Sequence, residues 1–424
     1  MSDIVIVGAG AAGLATAIFA KRFGPDARVV LLDGARAPGA KILVSGGSRC
    51  NVTNHVVSER DFWGGSPGAI RKVLRALSVA DTIAFFLELG VPLHEEAYGK
   101  LFPDSNRSRD VLNALLDEIR RRGIELRADH RVSGIRRDGD RFVVETNHGA
   151  IAARRVVLAT GGRALPKSGS DGLGYTLAAA LGHTIRDTTP ALAPLVLAGD
   201  ASSMHARLSG IAYDAELSIW IDGRRAIALT GPLLWTHFGV SGPVALDASR
   251  HFARARLEAR SVKATLNSCP GLSFEEVDQR LLQSAGERPR TTAVTLVSEL
   301  VPAAVAEAFV ERCGIEAGSF GSQLSRDDRR QLAHTLADLE LPVTDTRGYT
   351  YAEATAGGVR LDEINPATME SKRCPGLFLV GEVLDVDGRL GGFNFQWAWS
   401  SARVAGAALS KQEDASRKPH VESD

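Results

Sequence analysis

The chain has 424 residues, of which 44% are apolar and 24% are charged, and this composition excludes a globally disordered protein. Its 50 Lys and Arg balance its 50 Asp and Glu, so we expect neither nucleic acid nor an anionic membrane surface as a partner. No apolar run predicts a membrane span, and no signal-peptide pattern opens the chain. We expect a cytoplasmic protein of two or three domains, with four reduced cysteines and no metal site. The oligomeric state stays open.

The first 33 residues predict a strand–helix–strand unit that binds a dinucleotide. Glycines recur as GxGxxG directly after the first strand, at Gly8, Gly10 and Gly13, and Asp33 closes the second strand. Gly8 allows a tight turn, Gly10 lets the backbone approach a diphosphate, and Gly13 allows close packing of helix on strand. The helix N-terminus favours the phosphates, and Asp33 can accept hydrogen bonds from ribose hydroxyls.

FAD and NAD share this fingerprint, and the later glycines favour FAD. They recur after a strand at Gly161-Gly162, again at Gly381, and at Gly391-Gly392 before a final helix. A two-ring cofactor with a long ribityl chain needs close backbone approaches from several distant segments. We therefore expect FAD as the bound cofactor. NAD(P)H and oxygen remain alternative redox partners.

The next part of the chain alternates polar loops with short regular elements. Glycine, serine and asparagine dominate 34–66, which we expect to be an extended loop, and 94–107 also reads as a polar loop. Helices are predicted near 68–77, 79–89, 108–122 and 172–182. Strands are predicted at 124–126, 131–136, 142–145 and 156–158, with an Asp138-Gly139 hairpin turn.

The middle of the chain changes character and predicts an insertion. An alternating stretch at 215–221 runs through Asp222-Gly223 into a second apolar stretch, which predicts a β-hairpin. From Ser273, a capping-box residue with Glu276, the pattern becomes helical. We predict a β-rich domain at 191–349, with a helical subdomain at about 273–340. It would interrupt an FAD-binding domain formed by 1–190 and 350–410, with a disordered tail at 411–424.

Several longer motifs carry a family resemblance. They are KILVSGGSRCNVTN at 41–54, GKLFP at 99–103, THFGVSGP at 236–243, AGGV at 356–359, and the stretches 381–388 and 391–396. Over about residues 3–410 the chain resembles the aminoacetone oxidase and bile-acid dehydro-reductase-like FAD flavoproteins. The resemblance implies an α/β fold with a glutathione-reductase-like FAD domain of the two-dinucleotide-binding, Rossmann type. An inserted β-barrel-like domain and a small helical one would interrupt it.

The resemblance also implies an activity. Such a protein would be an FAD-dependent oxidoreductase acting on a small organic substrate. It would either oxidise an amine with oxygen or reduce an enone with NAD(P)H. A non-catalytic flavin-binding protein that senses redox state or regulates a partner is the alternative.

We expect the cofactor to contact residues from several distant segments. These are Gly8, Gly10, Ala11, Ala12, Gly13, Asp33, Lys41, Ser45, Gly46, Gly47, Arg49, Asn51, Val132, Thr160, Gly161, Gly162, Gly381, Glu382, Gly391, Gly392, Phe393 and Asn394.

Three residues are candidates for catalysis. Lys41 and Arg49 would offset phosphate charge or stabilise an anionic reduced flavin, and His237 is a candidate acid–base group with a structural histidine as the alternative. Cys50 has no neighbouring cysteine, which favours a packed thiol over a redox one. Ala40 and Lys100 stand where the family commonly has Arg, which puts an anionic-substrate contact in doubt more than FAD binding.

Overall fold

The structure is a computed structural model that describes residues 2–416, with side chains for residues 3–410. The described chain forms two compact units. One contains the residues up to Thr188 together with those from Glu353 onward, and the other is Thr189–Ala352.

The described chain from Ser2 to Ala191 contains six α-helices and eleven strands. In chain order they are β1 (Ser2–Val7), α1 (Ala11–Phe23), β2 (Val29–Leu32), α2 (Ala40–Ser48), β3 (Thr53–Asn54), β4 (Phe62–Gly64), α3 (Pro67–Leu74), α4 (Val79–Glu88), β5 (Leu93–Glu96), β6 (Lys100–Pro103), α5 (Ser108–Arg121), β7 (Glu125–Arg127), β8 (Val132–Asp138), β9 (Arg141–Thr146), β10 (Gly149–Leu158), α6 (Leu173–Ala180) and β11 (Ile185–Ala191).

The second unit continues with β12 (Leu195–Leu197), α7 (Met204–Arg207), β13 (Ala212–Ile221), β14 (Arg224–Thr236), β15 (Gly239–Ser241), α8 (Pro243–Leu257), β16 (Val262–Asn267), α9 (Phe274–Glu287), α10 (Ala293–Val297), α11 (Ala303–Arg312), α12 (Arg326–Ala337), β17 (Leu339–Leu341) and β18 (Val343–Thr346). The first unit then resumes with β19 (Ala354–Val359), β20 (Leu377–Leu379), β21 (Val386–Gly388) and α13 (Phe393–Ser416).

The first unit is built on a Rossmann-type sheet. Its strand order is β7-β2-β1-β10-β9-β8, and β20 also pairs with β10. The strands β7, β2, β1, β10 and β20 run parallel, which is why β1 and β2 are almost continuously apolar and buried. The expected α/β Rossmann-type fold is therefore confirmed. Helix α13 packs closely on α1, because a Cβ at Gly406 would lie 2.5 Å from Cβ of Phe19.

The second unit contains a sheet that the chain closes on itself. Its order is β17-β16-β13-β14-β15-β12-β18, so the two terminal strands are neighbours in sequence, separated by Pro342 alone. One stretch thus pairs through Leu339–Leu341 with β16 and through Val343–Thr346 with β12. This closure gives the barrel-like arrangement expected of the insertion, and α9 starts at the predicted Ser273 capping box.

Three predicted segments need correction. The 34–66 loop contains α2, β3 and β4, although the backbone of α2 leaves helical geometry from Ser45 to Ser48. The 94–107 loop contains most of an antiparallel β5–β6 hairpin, in which Glu96 pairs with Lys100. The tail predicted as disordered is helical to Ser416, and residues 417–424 lie outside the described residues. Among the described helices, none has the length and apolar character needed to cross a membrane.

Candidate functional site

The glycine loop after β1 combines tight packing with open space. Gly8 has φ +102°, and a Cβ there would lie 2.5 Å from the Ala159 oxygen, whereas a Cβ at Gly13 would overlap the Gly8 oxygen. At Gly10 a Cβ would meet no heavy atom within 4 Å. Helix α1 follows with no side-chain cap, so its first backbone N–H groups are available to an anion.

Asp33 fixes this loop to the end of β2. Its Oδ2 accepts a hydrogen bond from the Ala9 N–H at 2.7 Å, and its Oδ1 accepts one from the Ala35 N–H at 2.8 Å. Burial raises the pKa of the Asp33 carboxyl, while the two N–H donors oppose that shift. Each carboxylate oxygen has a further acceptor site, so the ribose contact stays a prediction compatible with this geometry.

Glu382 joins segments that are far apart in the sequence. Its Oε2 accepts from Lys41 Nζ at 2.5 Å, and its Oε1 accepts from the Thr355 N–H at 2.9 Å. A Cβ at Gly162 would lie 2.9 Å from Glu382 Oε1, so the Gly161-Gly162 backbone passes directly beside this carboxylate. The structure therefore brings together four of the predicted cofactor residues.

Gly381 places the same segment against the start of α1. It has φ +71°, and a Cβ there would lie 2.7 Å from Cβ of Ala12. Its N–H donates to Ser401 Oγ at 3.1 Å, and Trp397 Nε1 donates to its oxygen at 3.1 Å. Because α13 provides both partners, the final helix holds Gly381 and Glu382 beside the glycine loop.

Two threonines adjoin the Gly161-Gly162 backbone. The buried Thr160 Oγ1 has no hydrogen-bond partner within the part of the chain that the structure describes. Thr355 Oγ1 accepts from the backbone N–H groups of Arg163 at 2.8 Å and Ala164 at 3.0 Å. Thr355 was not among the predicted cofactor residues. Its position directly before the AGGV motif at 356–359 could have indicated that it belongs to the site.

The segment after Val44 turns with an unusual series of left-handed residues. Gly46 and Gly47 have φ +54° and +67°, and the non-glycine Ser48 and Cys50 have φ +67° and +64°. A Cβ at Gly47 would meet nothing within 4 Å, whereas Ser45 Oγ donates to the Ile42 oxygen at 2.8 Å. Burial raises the pKa of the Cys50 thiol to about 12, which agrees with a packed rather than a redox thiol.

The Gly391-Gly392 turn is tied to β3. Asn54 Nδ2 donates to the oxygens of Gly391 and Tyr98, both at 3.0 Å. In the amide orientation that satisfies both of its polar atoms, Asn51 accepts from the Gly392 N–H at 3.1 Å. Asn51 therefore has a protein partner, and its contact with the cofactor stays a prediction.

The side chains of Phe393 and Asn394 make contacts within the protein at the start of α13. Phe393 is buried with its ring centroid 6.2 Å from that of Phe62. Asn394 Oδ1 accepts from the Gly388 N–H at 2.8 Å, and its Nδ2 donates to the Gly388 oxygen at 3.0 Å. Their side chains hold the turn in place, so any contact with the cofactor through them also stays a prediction.

The remaining predicted residues lie in different surroundings. Arg49 pairs with Glu96 at 2.6 Å and lies over the Phe102 ring, so it is bound to the β5–β6 hairpin. Val132 is buried at the start of β8, after a segment whose His130 N–H donates to the Asp33 oxygen at 2.8 Å. His237 belongs to the second unit, on the exposed turn between β14 and β15.

The cradle of the first unit fits FAD. Open space at Gly10, the uncapped α1 and the Asp33 carboxylate suit the adenosine diphosphate half, and Glu382 suits the ribityl hydroxyls. Thr160 adds a buried hydroxyl that still lacks a partner among the described residues. Within those residues, no group of three or more His, Cys, Asp and Glu side chains is arranged to hold a metal ion.

Comparisons with known proteins agree with this geometry. The model of the HI0933-like protein Rossmann domain matches residues 2–408. The chain is 32% identical over 413 residues to the 3-dehydro-bile acid delta(4,6)-reductase of Clostridium scindens, covering 97% of this chain and 100% of that protein. It is also 32% identical over 402 residues to the ribosomal RNA dihydrouridine synthase of Escherichia coli, covering 94% and 96%.

Among solved structures, Escherichia coli quinol fumarate reductase has a similar fold. The TM-score is 0.52 with 18% identity, over 99% of this chain and 72% of that one. Because one relative is named for ribosomal RNA, the expectation that nucleic acid is not a partner stays a prediction.

Proposed function

The chain belongs to the HI0933-like family of Rossmann-domain proteins and is an FAD-dependent oxidoreductase, and we propose that it reduces a carbon–carbon double bond conjugated to a carbonyl group. The observation that carries this proposal is the 32% identity, over almost the full chain, to a reductase and to a synthase named for dihydrouridine, the reduced form of uridine. A 3-dehydro bile acid with delta(4,6) unsaturation and a uracil ring both present a double bond in conjugation with a carbonyl. The two named activities thus share one chemistry.

The cradle of the first unit supports this proposal through what its residues do. When bound, FAD supplies the hydride for this chemistry. The N-terminus of α1 and the open face of Gly10 bind the diphosphate, and Asp33 and Glu382 accept from hydroxyls. The ion pair with Lys41 holds the Glu382 carboxylate in place beside the Gly161-Gly162 backbone.

A reduced nicotinamide is the electron donor in this proposal. It delivers a hydride equivalent, water provides the proton, and the substrate gains two hydrogens across its double bond. Amine oxidation with oxygen, the other reaction class expected from the resemblance, finds no counterpart in the names of the two relatives. We therefore favour reduction.

The test is an anaerobic stopped-flow experiment on the FAD-loaded protein. NADH, NADPH or a small amine is mixed with the enzyme, the loss of flavin absorbance is followed, and a 3-oxo-4-ene steroid acid is then added. We expect NADH or NADPH to bleach the flavin and the enone to restore it, with formation of the saturated ketone. Bleaching by amines alone, with recovery only in oxygen, would overturn the proposal.

A second arm separates the two substrate classes of the relatives. Protein-free ribosomal RNA replaces the steroid acid, and dihydrouridine is measured by mass spectrometry after nuclease digestion. Formation of dihydrouridine would keep the reaction class and assign the substrate to RNA.

A further inference from the structure

Arg347 in the second unit is held between two aromatic rings. Its Cζ lies 4.2 Å from the ring centroid of Phe238 and 3.5 Å from that of Tyr351. Phe238 belongs to the turn between β14 and β15, and Arg347 directly follows β18. The backbone on one side is also fixed, because the Arg347 N–H donates to the Pro194 oxygen at 2.9 Å. Stacking on both faces orients the guanidinium plane.

This guanidinium has no anionic partner in the described part of the chain, and none of its N–H groups makes a hydrogen bond there. Arg329 of the same unit shows the usual alternative, since its Nε donates to Asp278 Oδ1 at 2.7 Å. The nearest carboxylate in sequence, Asp345, accepts instead from the Thr346 N–H. The N–H donors at the edge of the Arg347 plane are therefore available to a ligand.

The turn that carries Phe238 offers two further polar groups. His237 is exposed, and its ring centroid lies 5.1 Å from that of Phe238. Thr236 Oγ1 is buried and lacks a hydrogen-bond partner among the described residues. Arg347 contacts Phe238 and Tyr351, and Thr236 and His237 directly precede Phe238 in the chain. We call these five residues the Arg347 platform.

We propose that the Arg347 platform binds a carboxylate of the substrate. This inference rests on the proposed function for the identity of the substrate, but not for the binding chemistry. A planar guanidinium matches a planar carboxylate through two parallel charge-assisted hydrogen bonds. A single guanidinium of this kind matches one carboxylate, whereas a polyanion such as RNA would need several cations along its backbone.

The experiment uses a matched pair of probes, 3-oxo-4-cholenoic acid and its methyl ester, with the FAD-loaded protein. Binding is measured by calorimetry and turnover by kcat/KM. We expect the wild type to prefer the acid by about 10- to 100-fold, the range for a charge-assisted hydrogen bond. R347M should abolish this preference and leave the ester unchanged. R347K should recover only part of it, because an ammonium cannot bind a carboxylate through a planar fork.

Two further variants make the result specific. Y351A keeps the charge but removes one stacking ring, and it should lower acid binding by about threefold to tenfold because orientation is lost. R330M is the matched control: Arg330 stacks on the single ring of Phe274 at 5.1 Å, and the acid preference should stay at the wild-type value. Circular dichroism confirms that each variant is folded.

The outcomes separate this inference from the proposed function. Equal binding of acid and ester by the wild type, or an unchanged preference in R347M, would overturn the platform even if the enone is reduced. Arg347-dependent binding of the acid without turnover would support the platform and overturn the proposed reaction. The wild type could instead show no acid preference but a strongly salt-dependent affinity for ribosomal RNA that R347M loses. That result would mean that the platform binds phosphate, and it would overturn the proposal that it binds a carboxylate.

Discussion

Lys41 and Glu382, 341 positions apart in the chain, form an ion pair with Nζ and Oε2 2.5 Å apart. The pair joins the start of α2 to the segment between β20 and α13, beside the Gly161-Gly162 backbone. Its two members were predicted separately as cofactor residues, and their mutual contact explains how both can serve one ligand.

This relationship gives a first prediction about FAD retention. E382Q preserves the shape of the side chain but removes the charge, so we expect FAD to bind about tenfold or more weakly. The dissociation constant is measured by quenching of FAD fluorescence during reconstitution of the apoprotein. R360M, which breaks the exposed pair with Asp362, is the control and should retain FAD as the wild type does. Full FAD retention by E382Q would contradict the role given to Glu382.

Gly10 and Gly13 provide a matched pair for a second prediction. A methyl group at Gly10 meets no protein atom, whereas one at Gly13 overlaps the Gly8 oxygen. G10A should therefore fold normally but bind FAD at least tenfold more weakly, because the methyl group enters the space left for the diphosphate. G13A should unfold at a lower temperature even without FAD. Thermal unfolding of both apoproteins, followed by FAD titration of G10A, checks this; normal FAD affinity in G10A would contradict it.

A third prediction concerns the pH dependence of folding. Burial, assisted by Arg250, lowers the pKa of His251 on α8 from 6.5 to about 4. The unfolded chain therefore takes up a proton first as the pH falls. Above pH 6.5 the titration of His251 leaves the free energy of unfolding unchanged. Between pH 6.5 and about pH 4 that free energy falls progressively, by about 3 kcal/mol at most.

Urea unfolding at pH 7.5, 6 and 5 measures this loss. H251N removes the titrating group, so its free energy of unfolding should vary less over the same pH interval. An identical pH dependence in wild type and H251N would show that His251 does not contribute.

The cysteines allow a fourth prediction. All four are buried, and burial raises the pKa of the thiols of Cys50 and Cys269 to about 12 and about 11. Because the thiolate is the reactive form, iodoacetamide at pH 8 should leave the native protein unlabelled and should modify four thiols after unfolding. Mass spectrometry counts the adducts. Rapid native labelling of Cys50 would instead indicate a reactive thiol in the segment that follows α2.

Local signals in the sequence predicted the parts of the site that depend on neighbouring residues. The glycine spacing at 8–13 and Asp33 follow from one strand–helix–strand unit, and the Asp222-Gly223 turn follows from dihedral preference. The β5–β6 hairpin was missed because β5 is mostly polar and its turn includes Tyr98 with φ +64°. A tyrosine is not a usual turn residue.

Contacts between residues far apart in the chain could not be predicted from the sequence. Nothing near Lys41 or Glu382 specifies the other, and Thr355 gains its role only when its hydroxyl reaches the Arg163 and Ala164 N–H groups. The stacking of Phe238, Arg347 and Tyr351 likewise depends on the closure of the second sheet through β18.

The packing of α13 on α1 has a consequence for the order in which the protein is made. Helix α1 is buried from Ala12 to Ala20, and Phe19 faces Gly406 of α13. On the ribosome, α1 emerges before α13, and the whole second unit is synthesised between them. The second unit can therefore complete its closed sheet while the apolar face of α1 still lacks α13, and this interval leaves the nascent chain most open to aggregation.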